Sequence, residues 1–335
     1  MLPRYIALDL GTTNTLIHLD DQGVVVDEPS VIAINELKQI EALGAGAKRM
    51  LGRTPPNIRA VRPMKDGVIA DYQTAELMLK AFLRMALQGS SVVKPRALVC
   101  VPSGITEVEK RAVRDSVKNA GVREIFLIEE PIAAAVGMQL PIEASSGSIV
   151  VDVGGGTTEV AVLSLGDVVV SQSRKIGGDD MDAAIDRYLK NRYSIFVGEQ
   201  ICERIKLAIG TAVRVEDEQS MSVKGRNMIS GIPNTVEITS NEIYEALSET
   251  VGNVVSAVRS TLERTPPELA ADIVESGVNL TGGGALLSGL DTAIARETNL
   301  EVRRAPRPLY TIIEGMGLIL ADFSRYKKLF NLRPS

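Results

Sequence analysis

The chain has 335 residues, enough for one large or two medium domains with full cores. Its 37 basic and 42 acidic side chains leave a net charge of −5, so no general basic footprint for nucleic acid is present. Aromatic residues make up 4% with no Trp, which excludes a stacking platform for single strands. The two cysteines lack metal-ligand spacing and read as buried thiols of a reducing compartment; the single histidine, His18, reads as structural. The N-terminus is expected to enter the first strand at once, leaving no room for a signal peptide, and no apolar run is long enough to span a bilayer as a helix. The expected location is the cytoplasm.

Residues 5–34 read as a meander of short strands at 5–8, 16–19, 24–26 and 31–34, with a turn at 20–23. Residues 35–73 are less regular, rich in Gly and Pro, and read as a small inserted subdomain. Leu77, Met78, Ala81, Phe82 and Met85 recur at helical spacing over 74–87. After a loop at 89–95 comes a buried strand at 97–101. Thr106-Glu-Val-Glu109 is a capping box, opening a helix that Gly121 stops. A strand at 124–128 precedes a helix opened by Pro131 and ending near 137. Alternating strands and helices predict a layered α/β domain. The second half repeats the alternation. A strand at 168–171 is followed by helices at 180–193 and 198–209, then short strands at 221–223 and 236–238 in a second inserted subdomain. Ser240 is expected to cap a helix reaching about residue 263, which Pro266-Pro267 breaks. A strand at 277–280, a helix at 286–298, a strand at 301–302 and a helix at 311–322 complete the chain.

The most informative stretch is Ser148-Ile-Val-Val-Asp-Val-Gly-Gly-Gly-Thr-Thr-Glu159. A β-branched run reads as a buried strand, with Asp152 at its end. Gly154, Gly155 and Gly156 form a turn without Cβ atoms, where backbone N–H groups can approach phosphate oxygens. The apolar run 160–163 returns as a strand, so the unit is a β-hairpin; the GxxxxGK[ST] pattern of a Walker loop is absent. Ile6-Ala-Leu-Asp-Leu-Gly-Thr-Thr-Asn-Thr15 repeats the same order of strand, Asp, Gly, Thr and strand. Two such hairpins imply two similar halves facing each other across a phosphate. A third turn, Thr281-Gly-Gly-Gly-Ala285, follows a strand and precedes a helix. Together the three turns point to nucleotide binding.

The strings Asp9-Leu-Gly-Thr, Ile128-Glu-Glu-Pro-Ile-Ala-Ala-Ala135, Asp152-Val-Gly-Gly-Gly-Thr and Thr281-Gly-Gly-Gly-Ala resemble the actin, sugar-kinase and heat-shock-chaperone ATPase superfamily. Glu28-Pro-Ser-Val-Ile-Ala33, Arg62-Pro-Met-Lys-Asp-Gly-Val-Ile-Ala-Asp71, Phe126-Leu-Ile-Glu-Glu-Pro and Pro266-Pro-Glu-Leu are similar, more narrowly, to the MreB family of bacterial rod-shape actins. Asp27 departs from that pattern, standing where the family usually has Asn. The likeness runs from about residue 6 to residue 317 and implies an actin-like fold. Two similar α/β domains would flank a nucleotide cleft, each with a smaller inserted subdomain. The implied boundaries are 1–145 plus 308–335 for the first domain, with its insertion at about 35–73, and 146–307 for the second, with its insertion at about 181–240.

The resemblance also implies a slow ATPase that assembles with ATP into filaments at the inner membrane face and directs cell-wall synthesis and rod shape. Its cofactors would be ATP and Mg²⁺. Asp9 and Asp152 would hold the metal through its waters, since Mg²⁺ prefers few carboxylates and keeps several waters. Gly11, Thr12, Thr13 and Asn14 would meet phosphate from one hairpin, and Gly154, Gly155, Gly156 and Thr157 from the other, with Gly178 and Asp179 beside them. Glu130, rather than Glu129, would orient the attacking water, with Thr157 as the second catalytic position. Glu203, Arg204, Ile205 and Lys206 would cover the adenosine, facing Gly283, Gly284, Ala285 and Leu286. Taken alone, Glu203 and Lys206 read first as a plain i,i+3 ion pair. Partners would be further copies of the chain, the membrane and cell-wall elongation membrane proteins, without nucleic acid. The loop at Val92 and Val93 is a candidate lipid contact, or packs locally. Two alternatives share the superfamily. A small-molecule kinase needs a substrate-binding catalytic Asp outside the phosphate motifs. A chaperone ATPase needs a peptide-binding domain after residue 335.

Overall fold

The computed structural model describes residues 5–20, 22–88 and 94–329; Val92 and Val93 lie outside the described residues. Two five-stranded sheets share one topology. In the first, Glu124–Glu129, Arg96–Val101 and Tyr5–Leu10 run parallel, and Asn14–Leu19 and Gly23–Pro29 continue antiparallel. In the second, Val302–Arg304, Val278–Thr281 and Ser148–Val153 are parallel, and Thr158–Ser164 and Asp167–Arg174 are antiparallel. The expected duplication therefore extends beyond the hairpins to the whole sheet.

Between the sheets pass the helices Glu130–Gly137 and Thr311–Ala321, both largely buried. Ile132 to Val136 pack with Ile313, Met316 and Ile319 in a core cluster shared by strands of both sheets. Small alanines on the first helix let it run between two layers. Each sheet has a further core of its own on its outer face.

Several expected elements shift. The fourth strand of the meander, Ile32–Asn35, leaves the first sheet and pairs instead with Ile40–Leu43 and Ile58–Val61. With the helix Ala45–Met50 it forms a small layer of its own. Glu28 holds that helix from outside, its Oε2 accepting from the Ala45 amide at 2.7 Å. The cap of the long helix Ser240–Glu263 is Thr239, not Ser240; Thr239 and Glu242 form a reciprocal capping box. The capping box at Thr106 and Glu109 is present as expected. The third glycine turn does not lead straight into a helix. A 3₁₀ turn, Gly283–Leu286, intervenes, and the helix is Leu290–Thr298. The short strands of the second insertion are a full hairpin, Ser220–Asn227 and Pro233–Thr239.

Candidate functional site

Each hairpin turns where its strand pair ends. Asp9 pairs with Leu16 across the first and Asp152 with Glu159 across the second. The two tips touch: a Cβ at Gly155 would collide with Thr13 Oγ1, and Thr12 Oγ1 lies against Gly156. Thr12 Oγ1 also accepts from the Gly67 amide at 2.9 Å, tying the first insertion to the same point. Above the tips opens a cavity of about 750 Å³, within the range of small-molecule sites.

Asp9, Gly11, Thr12, Thr13, Asn14, Glu130, Asp152, Gly154, Gly155 and Thr157 line this cavity, with Gly178, Asp179, Glu203, Lys206, Gly283, Gly284 and Leu286. Four expected residues do not reach it. Ile205 is fully buried in the second core and Ala285 packs in the same cluster, because each lies on the face of its turn that meets apolar side chains. Arg204 points to solvent. Gly156 is taken up by the contact with the first hairpin. Glu130 lines the cavity, whereas Glu129 turns away and accepts from the Ser103 hydroxyl at 2.8 Å.

The floor is a cluster of buried and half-buried carboxyls. Burial pushes Asp9 up to about 6, while the Cys100 thiol, donating to its Oδ1 at 3.2 Å, pulls it back. Asp152 rises to about 7 through burial and then through Asp9, and its Oδ1 is buried without a hydrogen-bond partner. Glu130 lies well above the usual carboxylate range through burial, then through Glu159, Asp152 and Asp9. Carboxyls crowded together with an orphaned oxygen suit a cation. Among the described residues, three or more metal-binding side chains do not gather in one group, so a metal here would complete its shell with water and phosphate. The third turn is shaped around this floor. Gly282 has φ +84, and a Cβ there would run into Asp152 Oδ1 and the Val153 carbonyl.

The upper walls differ from expectation. Glu203 and Lys206 do not pair with each other. Glu203 reaches across the cleft to Lys48, and Lys206 binds Asp182 Oδ1 at 2.8 Å and the Gly178 carbonyl at 2.7 Å. Gly178 and Asp179 in turn donate their amides to the Gly154 and Gly155 carbonyls, at 3.0 and 2.8 Å. Lys206 thus ties the helix Glu199–Ile209 to the helix Gly178–Tyr193, whose first two amides dock on the second hairpin. Lys48, Asp182, Gly282 and Pro308 also line the cavity and were not foreseen. Gly282 stood in the third glycine motif; Lys48 and Asp182 carried no local signal. Asp27, the departure from the family pattern, accepts from the Tyr310 hydroxyl at 2.6 Å.

Two matched half-sheets, paired phosphate-type hairpins and inserted layers bridging above them define an actin-like protein. A profile of the MreB/Mbl protein family matches residues 3–328. The cell shape-determining protein MreB of Escherichia coli is 50% identical over 326 residues, covering 96% of this chain and 94% of that one. MreB5 of Spiroplasma citri bound to ADP is 38% identical with a TM-score of 0.90, covering 97% of this chain and 98% of that one. Its AMPPNP-bound structure superposes with a TM-score of 0.91, at 35% identity, covering 98% and 99%. A subunit of the MamK double helical filament, 17% identical with a TM-score of 0.81 and covering 96% and 99%, shares the fold. The chain belongs to the MreB/Mbl family.

Proposed function

We propose that this protein is a cytoskeletal, actin-like ATPase. It polymerises with ATP–Mg²⁺ into filaments on the inner membrane face and directs cell-wall synthesis and rod shape. The observation that carries the reading is the meeting of the two hairpins, each with an Asp at its strand end, beneath the 750 Å³ cavity. The relatives' names and their ADP- and AMPPNP-bound structures support it. Membership of a cell-shape family weighs against the small-molecule kinase. The division into residues 1–145 with 308–335, and 146–307, belongs to the same proposal and follows the two sheets.

In this reading Asp9 and Asp152 hold the metal, and Thr12, Thr13, Asn14, Gly154, Gly155 and Thr157 face the phosphates. Mg²⁺, when bound, would neutralise charge on the phosphate oxygens. It would also favour the ionised forms of Asp9, Asp152 and Glu130. Glu130, at the start of a buried helix, orients a water against the terminal phosphate with Thr157 opposite. Without an arginine supplied to the cleft, turnover is slow. Tight binding of one cleft state and weaker binding after hydrolysis would couple nucleotide to assembly.

Among the described residues no helix is long and apolar enough to cross a membrane, so contact with lipid would be peripheral. Val92 and Val93 are the candidate tip. The test combines pelleting and negative-stain microscopy with ATP–Mg²⁺, with and without anionic liposomes, beside phosphate release. Nucleotide-dependent filaments with slow release bear the proposal out. Steady turnover from a strictly monomeric protein rejects it. Unchanged liposome pelleting by Val92→Glu with Val93→Glu removes that loop from the account.

A further inference from the structure

Glu159 is a buried carboxyl beside the cleft floor that this mechanism leaves without a task. It pairs with Asp152 in the second hairpin, where the first hairpin pairs Asp9 with Leu16. The same position in the same topology therefore accepts a leucine, and the fold does not require an acid there. The side chain is 2% exposed. Burial drives its pKa up to about 8, with the Ser103 amide pulling the other way. An acid kept in the interior without a folding reason points to function.

Its contacts lead directly to the candidate catalytic residues. Glu159 Oε2 accepts from the Ser103 amide at 3.1 Å. Ser103 follows the strand Arg96–Val101 of the other sheet, so this buried hydrogen bond spans the two halves. The Ser103 hydroxyl then donates to Glu129 Oε2 at 2.8 Å, one residue before Glu130. Glu159 itself stands two residues beyond Thr157 on the second hairpin. Among the neighbouring carboxyls it also acts most strongly on Glu130. Its Oε1 is buried and makes no well-formed hydrogen bond.

We propose that Glu159 is a positioning residue for ATP hydrolysis: through Ser103 and Glu129 it holds Glu130 in register with Thr157. Placement of the attacking water is thereby tied to the approach of the two halves. The proposal rests on the ATPase reading above. No bond is made or broken at Glu159; it supplies an oxygen for the Ser103 amide, which a carboxyl or an amide provides equally.

The test is phosphate release by wild type, Glu159→Leu, Glu159→Gln and Ser103→Ala, with affinity measured separately by titrating a fluorescent ATP analogue. Leu is what the first hairpin carries, and Gln keeps the accepting oxygen. Misplacement of the water group should slow Glu159→Leu about 10²-fold with affinity unchanged, while Glu159→Gln stays within about threefold of wild type. Ser103→Ala, which cuts only the link to Glu129, should slow turnover about tenfold and serves where Glu159→Leu fails to fold. Wild-type turnover in Glu159→Leu or Ser103→Ala overturns the proposal. So does a Gln variant as slow as the Leu variant, or a loss of affinity that parallels the loss of turnover. A wild-type protein that releases no phosphate overturns the ATPase reading and takes the proposal with it.

Discussion

Lys48 and Glu203 meet across the mouth of the cleft, with Lys48 Nζ 2.7 Å from Glu203 Oε2. The first residue belongs to the insertion of the first half and the second to the helix Glu199–Ile209 of the other. Two further contacts run alongside. Gln200 Nε2 donates to the Lys48 carbonyl at 2.5 Å, and Arg62 pairs with Glu199. The three contacts form a clasp over the cavity, and Glu203 is one of its walls. Anything leaving the cavity on this side has to pass the clasp.

Opening the clasp should speed nucleotide release. The Lys48–Glu203 pair is half-buried, with 24% and 26% of the side chains exposed. Such a pair is worth about 1 kcal/mol after solvent screening, or about fivefold in a rate. Lys48→Met should therefore release a fluorescent ADP analogue about fivefold faster in a stopped-flow chase. An unchanged rate would mean that the cleft opens without breaking this pair.

Removing the water-orienting carboxylate should separate assembly from hydrolysis. Glu130→Ala is expected to lower phosphate release about 10²-fold or more while nucleotide-dependent pelleting persists. A variant that hydrolyses at the wild-type rate would move the role elsewhere in the acid cluster.

The cluster also sets a pH dependence for the nucleotide-free protein. Asp9, Asp152 and Glu159 have folded-state pKa values of about 6, 7 and 8, above their ordinary 3.8, 3.8 and 4.5. Each takes up a proton on folding in that window. Its favourable contribution is complete below the ordinary value and is lost as pH rises through the folded value. The melting temperature without ligand should fall between pH 6 and pH 8. Glu159→Gln, which has no proton to lose, should flatten the fall and melt on the order of 2–4 °C higher than wild type at pH 8. Mg²⁺–ADP should stabilise more at pH 8 than at pH 6. Differential scanning fluorimetry at both values checks each sign; a flat wild-type curve contradicts the argument.

The third glycine turn offers a steric test. Gly282 combines φ +84 with close approach to Asp152 Oδ1 and the Val153 carbonyl. Gly282→Ala should lower stability by about 1–3 kcal/mol and weaken metal-dependent nucleotide binding, because Asp152 must move. Gly23→Ala, at φ +75 with open space around it, controls for backbone strain alone. Equal binding by the two variants would remove the steric claim.

Much of this was legible in the sequence. The strand, Asp, glycine and threonine order of both hairpins is local, so it announced their form, their duplication and the position of Asp9 and Asp152. The helix Glu107–Asn119 was readable from its own capping box for the same reason. Other features needed more than local order. Ile205 stands between Glu203 and Lys206 in sequence, but the helical period turns it to the opposite face, where it is fully buried. The strand Ile32–Asn35 looked like part of the meander, because a strand's pattern does not name its partner.

Covalent order and side-chain period determined the elements and the two hairpins, and the motif strings carried the resemblance to an actin-like family. The tertiary structure alone decided which acids are buried together. It alone gave Glu203 to Lys48, 155 residues away, and Lys206 to Asp182. It also brought Ser103 of one half against Glu159 of the other. The reason is physical. A hydrogen bond within a turn is set by neighbours in sequence, whereas burial and charge coupling depend on which distant surfaces close over a group and exclude water.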